Sequence, residues 1–597
     1  MTTEIIINLV ILATVVFLFI KEYFPVDVVA LITIGVLIVS GLITPEEGVA
    51  GFSNTATVTV AAMFIISASL FKTGALVKVT EGLTRIFLFN FWLGIILLMI
   101  SVGLISAFIN NTPVVAIFIP IIISLAAKTG RSATKILMPL SFASMLGGVC
   151  TLIGTSTNIL VSEVSRQHGA TEFGMFDMTP LGLIFFGVGF FYMLFVGIHL
   201  IPDRKTDSEL TEKFGLGDYL TEIVLTEKAP SVGKTISKSP LVKKLDIDIL
   251  ELRRNGVKYD NPHREMELQA NDVLKVKCNV ESIKKIKERE GVYFKSDIQL
   301  RDKDIESDNI VLVEGVIAPN SPFIGKTLKE MNYRNKYHST VLAIRHKGQL
   351  TKDKVATSRL YAGDTLLIEV AKEHLPLLKN LNLGTNSPFL LISEVGLPEY
   401  RKEKMPFAII IILGIILTAS LNIAPIMVAA LIGSILLIVT GCIKTNEVYN
   451  AINWQIIFLL AGTLSLGVAM QKTGTALFLS ELIVFAVGAL GPVALISAFY
   501  LLTSILTEMM SNNASAILLA PIAYATAASL GLDPKPFFMA IAFAASASFM
   551  TPIGYQTNTM IYGAGNYRFA DFVKVGTPLN IIFWILATLL IPYFYPF

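Results

Sequence analysis

The feature that limits this chain most is a repeat of apolar runs. Residues 1–202 and 405–597 are dominated by uncharged stretches, and the residues between them are charged and mixed. A bilayer is crossed by roughly 17–25 apolar residues in a helix, and several of these stretches qualify. The two apolar parts share one register. Pro25 and Pro425, Gly41 and Gly441, and Lys72-Thr73-Gly74 and Lys472-Thr473-Gly474 lie 400 positions apart. Thr151-Leu-Ile-Gly-Thr-Ser-Thr-Asn158 answers to Thr551-Pro-Ile-Gly-Tyr-Gln-Thr-Asn558 at the same spacing. One residue more separates Asn111 from Asn512 and Pro120 from Pro521. Chance does not hold a register over most of a half. Internal duplication marks many secondary transporters, whose binding site forms where the halves meet.

Each half reads as about five spans plus one hairpin. The spans lie near 5–20, 26–42, 55–72, 135–165 and 180–201, then near 406–421, 425–441, 455–471, 536–566 and 577–596. The first ends in Lys21-Glu22-Tyr23-Phe24-Pro25 with no small-residue cleavage site before it, so a retained span is expected. The runs 91–127 and 492–530 are long enough for two helices, but Asn110-Asn111-Thr112-Pro113 and Ser511-Asn512-Asn513 break them. A polar break at membrane depth is tolerated only where it is buried in protein or lines a cavity. Both runs are therefore expected as re-entrant hairpins. Five spans is an odd number, so the second half starts from the opposite side. With the middle piece in the cytoplasm, Lys72, Lys135, Arg204, Arg401, Lys444 and Arg568 fall inside, and Arg166, Lys472 and Lys535 outside. The loops at Ser132 and Asp533 should then face opposite sides. The expected fold is an α-helical polytopic membrane protein of the inner (plasma) membrane. It has inverted repeats, two re-entrant hairpins and interrupted helices, and a cytoplasmic α+β insert of two small domains.

The insert is itself duplicated, at a spacing of 92. Glu222 and Glu314, Pro230 and Pro322, Gly233-Lys234-Thr235 and Gly325-Lys326-Thr327, Arg253 and Arg345, Gly256 and Gly348, and Asp272 and Asp364 correspond. Short β-rich runs alternate with short helical pieces. Ser321-Pro322-Phe-Ile-Gly325-Lys326-Thr327-Leu328 followed by Ala362-Gly363-Asp364 resembles the TrkA C-terminal domain. The expected division is 1–202 and 405–597 for the membrane repeats, with TrkA-C-like domains at 203–300 and 301–404. The Gly-Lys-Thr triplets lack the upstream glycine of a phosphate-binding loop, so nucleotide hydrolysis is not expected. The resemblance implies a seat for a small regulatory ligand.

Four polar breaks remain: two hairpin tips and two interrupted helices marked by Gly154 and Gly554. Freed carbonyls in such breaks can ligate a cation, and freed N–H groups at the following helix start can hold an anion. Oxygen ligands without soft donors suit a hard cation such as sodium. This constellation resembles the divalent anion–sodium symporter family of the ion transporter superfamily, over both membrane halves. The family's Thr-x-x-Gly-Thr/Ser-x-x-Asn pattern stands intact at 151–158, and Tyr555 interrupts it in the second half. The resemblance implies one sodium at Ser106, Asn110, Asn111 and Gly154, and a second at Thr507, Met510, Asn512 and Gly554. It places the anion among Asn110, Asn111, Thr112, Thr155, Ser511, Asn512, Asn513 and Tyr555. It also implies a homodimer in which a core moves as an elevator against a scaffold. Ser156-Thr157 and Gln556-Thr557 stand where dicarboxylate members carry Pro-Pro, as in the sulfate-transporting branch. Glu508 is a separate candidate, as a proton or cation site or as a hydrogen-bonded carboxyl holding the hairpin.

The expected function is sodium-coupled symport of a small divalent anion, sulfate first. A dicarboxylate symporter, an arsenite or sodium–proton transporter on the same scaffold, and a membrane anion sensor are the alternatives. Sodium is expected as coupling ion, with no other cofactor. The net charge of +3 gives no ground for a nucleic-acid partner. The six histidines are scattered, no Ser-His-Asp, Cys-His or metal triad is readable, and an enzyme is not expected. Cys150, Cys278 and Cys442 lie far apart and read as packing residues.

Overall fold

The computed structural model describes the chain except residues 1, 22, 130, 171–172, 205–219, 228, 246, 261, 278–291, 295–309, 319–320, 347–348, 352–354, 382–387, 392–399, 422 and 553. Lys205, Cys278, Gly348 and the domain boundary expected at 300 lie outside the described residues. Cys150 and Cys442 are buried and free.

The first membrane half runs α1 (Thr3–Lys21), α2 (Val26–Val39), α3 (Pro45–Ala50), α4 (Thr55–Thr73), α5 (Ala75–Phe89), α6 (Phe91–Ser106), α7 (Asn111–Thr129), α8 (Thr134–Gly148), α9 (Ser156–Gln167) and α10 (Thr179–Tyr192, carried on to Leu200). The second repeats this order as α11 (Met405–Ser420), α12 (Ile426–Val439), α13 (Thr445–Ala451), α14 (Trp454–Lys472), α15 (Thr475–Val487), α16 (Pro492–Thr507), α17 (Asn512–Leu530), α18 (Lys535–Ser546), α19 (Gln556–Ala564) and α20 (Phe569–Phe594). Among the described residues, seven helical stretches are long and apolar enough to cross a membrane. The halves pack by exchange. α2 lies against α14 and α12 against α4; α7 meets α19 and α17 meets α9. A pseudo-twofold relation between the halves accounts for this reciprocity.

The centre is made by α8 and α18. Every residue of α18 but Lys535 is buried, and every residue of α8 but the matching Lys135. A helix apolar on all faces belongs inside a bundle. The first-turn lysines escape by local partners. Lys135 donates to the Ile198 and Ile201 carbonyls, and Lys535 lies 2.8 Å from Asp177.

Run length alone passed over α5 and α15, which join the third long helix to the hairpin in each half. In α5, Lys78, Glu81 and Arg85 interrupt the apolar residues, so no uncharged run of spanning length exists. α15 has 13 residues, too few to span. The expected spans 135–165 and 536–566 are each two helices, parted at 149–155 and 547–555.

The insert holds two five-stranded antiparallel sheets. Strands β1 (Leu220–Leu225), β2 (Asp248–Arg254), β3 (Val257–Asp260), β4 (Val273–Lys277) and β5 (Val292–Phe294) order as β3-β2-β4-β1-β5. Strands β6 (Ile310–Ile317), β7 (Ser339–His346), β8 (Gln349–Thr351), β9 (Thr365–Ala371) and β10 (Phe389–Leu391) repeat that order as β8-β7-β9-β6-β10. Even the irregularity is copied. The β2–β4 register shifts between Ile249 and Glu251, and the β7–β9 register between Val341 and Ala343.

Both ends of the insert are tied to membrane helices. Arg204 pairs with Asp571 at 2.7 Å, at the start of α20. Arg401 pairs with Glu447 of α13 at 2.9 Å, and its N–H donates to the Lys72 carbonyl of α4 at 2.9 Å.

The exchange packing makes a testable prediction about sidedness. Ser132 is buried, bonded to Thr134 and to the Arg204 carbonyl, and cannot carry a label. Arg131 beside it and Asp533 in the matching loop are exposed. A membrane-impermeant thiol reagent should label Arg131→Cys and Asp533→Cys from opposite faces. Labelling of both from one face would contradict an inverted repeat.

Candidate functional site

Four helices start at the four breaks. α7 and α17 start at the hairpin tips, α9 and α19 within the interrupted pairs. A helix start leaves N–H groups without intrahelical partners and carries a partial positive charge. Three starts are capped by the residue before or within them. Asn110 Oδ1 accepts the Thr112 N–H at 3.2 Å, Ser511 Oγ accepts the Ala514 N–H at 3.4 Å, and Thr155 Oγ1 accepts the Thr157 N–H at 3.4 Å. Tyr555 holds the corresponding place before α19 and makes no side-chain cap.

The tips close on the opposite half. Asn111 Nδ2 donates to the Tyr555 phenol oxygen at 2.6 Å, and Thr112 Oγ1 to Gln556 Oε1 at 2.8 Å. Reciprocally, Thr157 Oγ1 donates to Asn513 Oδ1 at 2.9 Å and Ser156 Oγ to the same atom at 3.2 Å. Of the residues expected around the anion, Asn111, Thr112, Thr155, Asn513 and Tyr555 are tied into this crossing. Asn512 differs from Asn513 in direction: its Oδ1 accepts from Thr507 Oγ1 within its own hairpin, at 3.0 Å.

The interrupted helices also press on the hairpins of their own halves. Thr151 Oγ1 donates to the Ala107 carbonyl, and Thr551 Oγ1 to the Glu508 carbonyl at 3.2 Å. A Cβ on Gly154 would lie 2.8 Å from the Ser106 carbonyl oxygen, and one on Gly554 2.8 Å from the Thr507 carbonyl oxygen. Only glycine permits this approach. The last Asn of each motif serves the break itself: Asn158 Nδ2 donates to the Thr151 carbonyl at 2.9 Å, and Asn558 Nδ2 to the Thr551 carbonyl at 3.3 Å.

After this closure a few buried oxygens have no hydrogen-bond partner among the described residues. In the first half they include Ser106 Oγ and Asn111 Oδ1, two of the atoms expected to face sodium. Unmatched oxygens in a dry interior are costly unless a ligand takes them. Thr507 Oγ1 is engaged, by Asn512 and by the Ala545 carbonyl at 3.1 Å, and Met510 is buried with its N–H on the Leu506 carbonyl. The second set has Glu508 instead. Its Oε1 accepts the Met550 N–H at 3.0 Å and Asn580 Nδ2 at 2.9 Å, and its Oε2 has no hydrogen-bond partner among the described residues. Sequence reasoning missed Asn580. It lies in α20, where the 400-residue register no longer pairs residues; its one signal is an amide inside an apolar helix. Gln556 was read only as a departure from a pattern, and its partner Thr112 is visible only in three dimensions.

A duplicated helical membrane part with its polar breaks joined at the crossing of the halves defines a transporter. A family model described as a citrate transporter matches residues 15–535, and the chain belongs to that family. It shares a superfamily with the divalent anion–sodium symporters that the motifs resemble. An uncharacterized transporter of Synechocystis is 39% identical, over 98% of this chain and 96% of its own length. A putative sulfur deprivation response regulator of Chlamydomonas reinhardtii is 29% identical over 92% of this chain and 94% of its own. From the same organism, probable sodium/sulfate cotransporter 3 is 23% identical over 92% of this chain and 84% of its own.

The Asn111–Tyr555 bond gives a direct test. Tyr555→Phe leaves a buried amide without its acceptor, at about 1–3 kcal/mol. Thermal unfolding in detergent should shift down while the variant still elutes as a folded species. An unchanged unfolding temperature would show that the crossing bond is absent.

Proposed function

We propose that the chain is a sodium-coupled symporter of a small divalent anion, with sulfate as its cargo. The observation that carries this reading is the crosswise closure of the two hairpin tips on the two interrupted helices. It brings four helix N-termini, with amide and hydroxyl groups, to one place at the join of the halves. Residues 106–112, 148–158, 507–513 and 546–558 contain no Lys or Arg. An anion there would be held by N–H dipoles and by co-bound cations. One sodium takes Ser106, Asn110, Asn111 and the Gly154 backbone; the other takes Thr507, Met510, Asn512 and the Gly554 backbone. The unpartnered oxygens of Ser106 and Asn111 support the first assignment. Glu508 Oε2 would add a carboxylate, or a proton, near the second.

We infer a compact cargo from Tyr555. Its buried phenol meets Asn111 where the symporter pattern has the smaller Thr or Ser, and a larger side chain at that position leaves less room for a long dianion. This favours a compact tetrahedral anion over a dicarboxylate. The name of the sodium/sulfate cotransporter relative supports the same choice, whereas the family name favours a carboxylate. We further place the insert in the cytoplasm at the inner membrane, as paired TrkA-C-like domains that take a small regulatory ligand. The chain would work as a homodimer, its core moving as an elevator.

A second reading has one observation behind it. The relative named as a putative sulfur deprivation response regulator favours a sensor that signals through the insert. Proteoliposome uptake separates the two. With inward sodium, radiolabelled sulfate should accumulate and exchange with internal sulfate, and excess succinate or citrate should compete weakly. Asn111→Ala should abolish this uptake. Accumulation that is indifferent to sodium at every pH would refute the coupling, and absence of any anion flux would favour the sensor.

A further inference from the structure

The second sheet of the insert touches the transport site's own half-helix. Val316 at the end of β6 packs into the apolar core of the membrane part. Thr365 Oγ1 at the start of β9 donates to the Gly563 carbonyl of α19 at 3.3 Å. The turn between them brings Gly363 against the same helix. A Cβ on Gly363 would lie 3.2 Å from the Thr559 carbonyl oxygen and 3.5 Å from Thr559 Cγ2. A Cβ on Gly563 would overlap the Gly363 carbonyl oxygen.

The two duplications supply internal controls for these glycines. The mate of Gly363 in the first sheet is Asn271, with φ 67° against 82° for Gly363. The turn therefore accepts an asparagine side chain in the first sheet. The mate of Gly563 in the first half is Glu163, in α9. The helix accepts a side chain there too. Gly563 is not required by its own backbone and is required by the contact; Gly363 has a left-handed backbone that glycine or asparagine can hold, and the contact leaves little room for a side chain there. The Glu163 end of α9 is anchored differently: its carboxylate accepts from Asn54 Nδ2 at 2.7 Å and Thr55 Oγ1 at 2.6 Å, at the start of α4.

The insert's attachments add a mechanical consequence. One end is tied by Arg204 to Asp571 of α20, on the same side of the bundle as α19, and the other by Arg401 to α4 and α13. In the transport reading, on which this inference rests, we assign α19, which starts at the crossing, and its neighbour α20 to the moving core, and α4 and α13, which contribute no residue to the crossing, to the scaffold. The insert then bridges two bodies that must separate.

We propose that the second sheet of the insert is an intramolecular brake, docked by Gly363 and Thr365 on Gly563 and Thr559 of α19, which holds the core in the present conformation until the sheet is released. A ligand of the insert could act only through its difference in affinity for the docked and released forms.

Two releasing variants and one locking variant test this. Gly563→Ala adds a clashing methyl while favouring the helix, and Gly363→Asn installs the residue the first sheet carries. Each should raise amide hydrogen exchange in 361–371 and raise maximal sulfate uptake about fivefold or more, the lower end of ordinary coupling between sites. The lock leaves both glycines in place: Thr365→Cys with Thr559→Cys, one helical turn from the Gly563 carbonyl that Thr365 meets, in a chain freed of Cys150, Cys278 and Cys442. A short bis-methanethiosulfonate should join the pair and stop uptake, and reductant should restore it. Exchange is read without any transport. Unchanged exchange in both releasing variants, or failure of the pair to cross-link, overturns the docking. Raised exchange with uptake unchanged, or full uptake in the cross-linked protein, overturns the brake. If the parent chain carries no sulfate, the transport reading fails and exchange with cross-linking still decides the docking.

Discussion

Everything in the membrane part depends on how four breaks in helices are satisfied away from water. An unpaired peptide group in hydrocarbon costs several kcal/mol. Here the breaks use each other. Asn158 and Asn558 close their own loops, Thr151 and Thr551 fasten the loops to the hairpins, and the tips reach across to the opposite half. What this closure leaves over becomes the chemistry of the site. In the first half the remainder is an amide and a hydroxyl oxygen, both neutral. In the second it includes a carboxyl oxygen of Glu508, beside the Ser546 hydroxyl and the Asn580 amide oxygen, because that half carries Glu where the first has Ala107. The duplication is thus close in backbone and unequal in its ionisable groups.

The 400-residue register made the fold legible, because identical backbone constraints leave identical residues. Pro25 and Pro425 stand before α2 and α12 with nearly the same backbone angles. The polar tips were legible for a related reason: consecutive polar residues, Asn110-Asn111-Thr112-Pro113 and Ser511-Asn512-Asn513, interrupt runs that a continuous spanning helix would keep apolar. The short helices α5 and α15 were not, since charge breaks up the apolar run of one and the other is too short to span. Which member of an Asn pair faces which neighbour was also hidden. Asn512 and Asn513 are adjacent and alike in sequence, yet one turns to Thr507 and the other to α9, a choice made by helix phase. Partners supplied by distant helices, such as Asn580 for Glu508, show along the chain only as a lone amide in an apolar helix, which does not say what it meets.

The buried position of α8 and α18 gives the arrangement its rigidity. Each interrupted helix leads directly out of one of them, so the half-helix that meets the opposite tip is held by a segment packed on all sides. Helix association in lipid rests on close packing and interhelical hydrogen bonds. The crossing therefore depends on both kinds of contact at once. It also explains why an insert docked on α19 can act at the site without contributing a residue to it.

The central claim is that sodium and anion are bound together at this crossing. Equilibrium binding of radiolabelled sulfate to the purified chain, measured over a range of sodium concentrations at constant ionic strength, tests it most directly. Linkage requires that two coupled sodium ions give a log–log slope of about two in apparent sulfate affinity against sodium. Asn111→Ala should lower that slope. A sulfate affinity that does not change with sodium, in a folded and monodisperse protein, would contradict the account.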